Sequence, residues 1–183
     1  GFTVPNGAAQ EELIRSTLAK SHLSPSDIDY IETHGTGTPL ADPIEVNTLT
    51  KIFSKHHSPE KPLYISSVKT NIGHCESASG VAGLIKVVLS LQNQTLFKHL
   101  NFKKINPEIQ LKNTIIPLTN MSWSNKEVPA LRYAGISSFG FSGANAHMIL
   151  QQAPLIKRET HVLLQEFLLV ISAKNKTALE LLL

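Results

Sequence analysis

The chain has 183 residues, 42% of them hydrophobic, enough to bury about 70% of its unfolded surface in a compact core. Its 17 lysines and arginines exceed its 14 acids by three, and this excess is scattered rather than gathered into basic runs with interleaved aromatics, which argues against a nucleic-acid partner. One cysteine, Cys75, excludes an internal disulfide framework and points to a reducing, cytoplasmic setting.

In chain order, Asn6-Gly7 precedes apolar residues at three- and four-residue steps (Ala9, Leu13, Ile14, Leu18), which predicts a helix over Ala8–Lys20. Ser24-Pro25-Ser26 stops it. Ile28, Tyr30 and Ile31 form a short strand, and His34 stands at its exit in a glycine-threonine loop. Asp42-Pro43-Ile44-Glu45 opens a second helix: Asp42 is placed to accept from first-turn amides, Pro43 suits the first helical position, and Glu45 can reach back as in a capping box. Val46, Leu49, Ile52 and Phe53 make its buried stripe. Leu63–Val68 reads as a strand buried on both faces, as in a sheet covered by helices, and it ends in the turn Lys69-Thr70-Asn71-Ile72-Gly73-His74.

A third helix over Ser77–Gln92 is apolar on nearly every side, which predicts a central, buried helix whose positive end lies beside His74. No apolar run reaches the ~20 residues of a membrane span, since Lys86 and Gln165-Glu166 interrupt the best candidates. After a loop rich in Asn, Lys and Pro, Arg132–Ile136 and Ala146–Leu150 read as a hairpin with a glycine-rich connection. A composition shift at Pro154 marks a boundary, followed by a strand at Phe167–Ile171 and a helix from about Thr177. Gly1 and the closing Leu181-Leu182-Leu183 read as cut ends.

His34 and His74 thus sit on glycine-punctuated turns just after strand-like runs, an arrangement able to aim two proton donors at one point. Lys69 accompanies them, but no nucleophile does. Cys75 adjoins His74, yet neighbouring side chains seldom face each other, so it reads as a small semi-buried residue. His22, His56-His57, His99 and His161 lack metal-ligand spacing and read as surface residues, so no metal is expected. His147, in a strand, reads as packed. Gly35-x-Gly37 lacks the spacing of a dinucleotide fingerprint, and Gly140-Phe141-Ser142-Gly143 is one residue short of a nucleophile elbow. Thr36 and Thr38 fit either ligand contact or plain turn chemistry.

Three segments together resemble the C-terminal half of a beta-ketoacyl synthase of the kind found in modular polyketide synthases and animal-type fatty acid synthases. They are Glu32-Thr33-His34-Gly35-Thr36-Gly37-Thr38, Val68-Lys69-Thr70-Asn71-Ile72-Gly73-His74, and Ser137-Ser138-Phe139-Gly140-Phe141-Ser142-Gly143-Ala144-Asn145-Ala146-His147. The resemblance covers residues 1–153. Residues 154–183, through Leu168–Lys174, resemble the start of the linker domain that follows such synthases. Ala41 and Ala144 stand where the family more often has glycine and threonine, and Cys75 where threonine or another small residue is usual.

The resemblance implies an α/β, thiolase-like fold, here its truncated C-terminal half, a mixed sheet with covering helices. It implies a decarboxylative condensation in which a cysteine of the missing N-terminal half holds an acyl chain, and a malonyl-type thioester on the phosphopantetheine of an acyl carrier protein supplies the carbanion. By the same likeness His34 and His74 stabilise the enolate, and Lys69 is a buried cation that organises the site. Thr36 and Thr38 bind the phosphopantetheine amides, the backbone amide of Phe141 completes an oxyanion hole, and Asn145 is a supporting polar residue of the same substrate-binding set. The family also implies a homodimer, substrates carried on the partner protein rather than a bound cofactor, and an isolated fragment without activity of its own. The competing reading is a non-elongating acyl-binding domain or a structural remnant.

Overall fold

The computed structural model describes residues 4–123, 131–141, 143–154 and 171–181. They fall into two compact units, Gly1–Ala153 and Pro154–Leu183. In the second, the helix expected from about Thr177 forms as α5, Lys176–Glu180, with the Asn175 side chain accepting from the Ala178 amide. The strand expected at Phe167–Ile171 lies, but for Ile171, outside the described residues.

The first unit begins with α1, Gly7–Lys20, capped by the Asn6 side chain, which accepts from the amides of Ala8 and Ala9. Gln10, Ile14 and Leu18 recur every fourth residue and form its buried stripe. Strand β1 (Tyr30–Glu32), helix α2 (Ala41–Phe53) and strand β2 (Leu63–Ser66) follow. A single helical turn, α3 (Lys69–Ile72), then leads through Gly73 and a 3₁₀ turn to α4, Ser79–Asn93. Beyond it come β3 (Thr95–Leu96), β4 (Thr114–Ile115), β5 (Met121–Ser122), β6 (Tyr133–Phe139) and β7 (Asn145–Gln151).

Strands β4, β2, β1 and β6 lie parallel and β7 closes the sheet antiparallel, in the order β4-β2-β1-β6-β7, while β3 and β5 pair separately. The pleat sends alternate residues of β1 and β2 to opposite faces. Ile31, Leu63 and Ile65 pack with Ile14 and Leu18 of α1 and with Leu49 and Phe53 of α2. Tyr30 and Tyr64 face the other way, toward Val87 and Leu91 of α4. The result is a mixed sheet between helices, and it explains why these strands carry few polar residues.

Two expectations change. The stripe Val81, Ile85 and Leu89 of α4 is 46–58% exposed, so this helix is buried on one face rather than all round. His57 is buried, its ring nitrogens within hydrogen-bond distance of the carbonyls of Phe53 and Ile28. His99 is half-buried and accepts from the Ser67 amide. Neither is a free surface residue, because each ring satisfies backbone groups that helix and strand ends leave over.

Candidate active site

The sheet assembles the site. The ends of β2 and β6 lie on either side of the end of β1, with Glu32 opposite both Ser66 and Ile136. The loops after these three strands therefore open at one edge, the C-terminal edge where α/β sheets place their ligands.

His34 leaves β1 on a backbone fastened by α2. Its amide donates to Glu45 Oε1 at 2.7 Å, and the amide of Gly35 donates to Oε2 at 2.9 Å. Gly35 has φ +43°, and a Cβ there would lie 2.7 Å from Thr33 Oγ1 and 2.8 Å from Ser67 Cβ, so the turn requires glycine. Asp42 Oδ1 accepts from the Gly37 amide at 3.0 Å. Asp42 and Glu45 thus hold the histidine loop rather than forming the predicted helix cap and capping box. Leu40 occupies the cap position without a side-chain bond, and Thr38 Oγ1 accepts from the Ala41 amide instead. Pro43 is the third helical residue, where a missing N–H still costs no helical bond.

His74 follows Gly73, whose φ of +75° turns the chain out of α3. Its Nδ1 accepts from the Glu76 amide at 3.0 Å, which leaves Nε2 as the protonated nitrogen. The His34 and His74 rings stand edge-to-face, 5.5 Å apart between centroids, and His34 is 5.8 Å from the Phe139 ring. His34 Nδ1 is buried without a hydrogen-bond partner among the described residues, so contact with a ligand falls to Nε2. Burial first, then the charges of Lys69 and His74, lower the His34 pKa to about 4. It is a neutral imidazole at physiological pH.

A cavity of about 840 Å³ is lined by His34, His74, Thr36, Thr38, Phe141 and Asn145. Six of the seven residues singled out from the sequence therefore share one space. Thr36 and Thr38 hydroxyls lie 3.3 Å apart. Phe141 is 81% exposed, on a loop closed by the Gly140 amide donating to the Ala144 carbonyl and by Gly143 at φ +87°. Lys69 is not among the residues lining this cavity, but its charge acts on His34. Burial lowers its pKa, opposed by Glu32, Glu45, Cys75 and Asp42. Among the described residues, no carboxylate lies within ion-pair distance of its ammonium group.

The sequence does not disclose the role of Glu45, whose carboxyl is pushed up to about 7 by burial against the pull of the two amides it holds. Nor does it disclose Glu32 and Lys86, which stand in it as one letter of a motif and one break in an apolar run. Glu45 carries a signal that points to the wrong partner, since a carboxylate near a helix start can serve its own helix or a loop beyond it. His147 is packed as expected, with Nδ1 3.0 Å from Ser137 Oγ.

Residues 1–103 match the family model "Beta-ketoacyl synthase, C-terminal domain" and residues 106–183 the model "Ketoacyl-synthetase C-terminal extension". The chain belongs to the beta-ketoacyl synthase family. It is 48% identical over 156 residues to a phenolphthiocerol/phthiocerol polyketide synthase protein of Mycobacterium tuberculosis, covering 84% of the chain and 7% of that protein. With probable polyketide synthase 17 of Dictyostelium discoideum it shares 49% over 151 residues, 82% of the chain and 6% of that protein. Among solved structures, the ketosynthase from module 6 of the bacillaene synthase of Bacillus subtilis superposes with a TM-score of 0.78 at 36% identity, covering 84% of the chain and 28% of that ketosynthase. An oxazolomycin ketosynthase domain from Streptomyces albus gives 0.77 at 39%, with the same coverage. The fold is thus the C-terminal part of the thiolase-like ketosynthase fold, and the chain spans about a quarter of those solved proteins. The two family models meet between residues 103 and 106, whereas β4, β6 and β7 complete the same sheet as β1 and β2.

Proposed function

We propose that this ketosynthase segment carries the decarboxylating side of a condensing site and works with an N-terminal half that supplies the acylated cysteine. The observation that carries this is the His34–His74 pair, 5.5 Å apart on the wall of one cavity. At that spacing both Nε2 atoms can reach one carbonyl oxygen. As the bond to the departing carboxylate breaks, the electron pair moves into the malonyl thioester and the carbonyl oxygen gains negative charge. Two imidazole donors held in a fixed geometry, that of His34 neutral, stabilise that charge by hydrogen bonding. The enolate carbon then attacks the acyl-cysteine carbonyl, forming the carbon–carbon bond and releasing the cysteine thiolate.

Lys69 sets the field behind the pair rather than touching substrate. Thr36 and Thr38 face the arm of a phosphopantetheine-bound substrate carried by an acyl carrier protein, and the Phe141 amide joins that of the cysteine in an oxyanion hole, with Asn145 as a supporting polar residue of the substrate site. Residues 1–153 then form the ketosynthase part and 154–183 the start of the following linker. The complete domain acts as a cytoplasmic homodimer, and a single cysteine suits a reducing compartment. Among the described residues, no helix is long and apolar enough to cross a membrane.

The decisive test is His74→Ala in the complete domain, read by mass spectrometry of the acyl-cysteine and by release of carbon dioxide. Loading should persist while condensation falls by about 10²–10³-fold, as for other lost transition-state donors. Equal loss of both steps would favour a non-elongating acyl-binding role. The isolated 183-residue chain should form no acyl-enzyme, and acylation at Cys75 would overturn the assignment of the nucleophile to the other half.

A further inference from the structure

Between the ends of β1 and β2 and helix α4 lies a buried network in which neither imidazole takes part. Glu32 is 2% exposed and points from β1 to the α4 face of the sheet, where Lys86 Nζ donates to its Oε2 at 2.9 Å. The same ammonium donates to Ser66 Oγ at 2.6 Å. The Tyr30 hydroxyl donates to Oε2 and the Val68 amide to Oε1. Gly83 makes room for this: a Cβ on it would stand 3.2 Å from Glu32 Cγ.

The positions of these groups in the chain give the network its meaning. Glu32 precedes His34 by two residues, and Val68 precedes Lys69 by one, at the head of the short helix that ends before His74. One carboxylate therefore joins the exit of β1 to the entry of α3. Lys86, on the helix that follows His74, balances the charge of that carboxylate from a third segment. α3 is a single turn whose Val68 cap position makes no side-chain bond; Ser67 holds the amides of Lys69 and Thr70 locally, and the Val68 amide ties the same start across to β1 through Glu32.

We propose that Glu32 is a positioning residue for decarboxylation: through the Val68 amide it sets the register of the Lys69–His74 segment against His34. This rests on the function proposed above. Its action does not require the negative charge as such, but an acceptor at Oε1 presented to Val68.

Two neutral pairs in the complete domain separate positioning from stability. Glu32→Gln/Lys86→Met removes both charges and keeps an acceptor for Val68, whereas Glu32→Leu/Lys86→Met removes both charges and the acceptor. Decarboxylation of a malonyl carrier-protein thioester should stay within about threefold of wild type in the first pair. In the second it should drop about 10- to 100-fold in kcat, the scale of an ångström-sized misplacement. KM and cysteine acylation should change by less than about threefold in both. Equal rates in the two pairs, or parallel loss of acylation and decarboxylation, would overturn the proposal, and failure of both variants to fold would assign the network to folding alone and do the same. A wild-type domain that never decarboxylates would instead defeat the underlying function, so the two failures are told apart.

Discussion

Glu45 shows how a single side chain couples fold and chemistry. It anchors the amides of His34 and Gly35, yet burial raises its carboxyl from 4.5 to about 7. A raised carboxyl contributes stability that is fully present below about pH 4.5 and is lost as pH rises through about 7. Glu45→Gln removes this dependence. The variant's stability relative to wild type should therefore grow by on the order of 2–3 kcal/mol between pH 5 and pH 8, measured by urea unfolding at both values. His34 runs oppositely: its value is lowered to about 4, so its contribution is present above about 6.5 and disappears as pH falls through about 4. An unchanged Glu45→Gln difference across that range would mean the carboxyl is not desolvated. At this scale the sequence was informative where a motif names the atom that acts, as with His34 and His74. It was mute about Glu32 and Lys86, since pairing between residues 54 positions apart leaves no local pattern.

The elements were legible in proportion to their length and periodicity. Helix α1 and the hairpin β6–β7 follow from spacing and glycine placement, and the buried stripe Val46, Leu49, Ile52 and Phe53 of α2 is the one its sequence advertises. β3, β4 and β5 are two residues each, too short for alternation to register. The start of α2 misled because Asp42 and Glu45 satisfy amides five and ten or eleven residues upstream instead of those of their own first turn. Leu49 is 1% exposed in the layer between α1 and the sheet. Leu49→Ala should therefore cost about 2–5 kcal/mol, seen as a lower urea midpoint at unchanged slope. Gly35→Ala acts on the connection instead, and both the steric overlap and the positive φ oppose it. A loss of more than about 1 kcal/mol is expected, together with displacement of the His34 imidazole resonance in NMR spectra.

On the scale of the whole molecule, the sequence specified a mixed sheet with helices over it but overstated the burial of α4. A helix apolar on all sides implies cover on all sides. Here the described residues leave Val81, Ile85 and Leu89 uncovered, in a chain that spans 28% of the solved ketosynthase it matches. Such a stripe should drive association of the isolated chain. Light scattering should show oligomers that Ile85→Lys with Leu89→Glu reduces toward monomer, and a monodisperse wild-type monomer would contradict this.

The parallel run β2, β1, β6 carries one further implication. Because the two imidazoles and the hairpin loop converge only through pairing of strands distant in sequence, no peptide excised from any one segment can reproduce the pocket. Unzipping β1 from either neighbour should separate the rings at the same denaturant concentration at which the sheet melts. Proximity of His34 and His74 is, in that sense, a direct gauge of whether the sheet between them is intact.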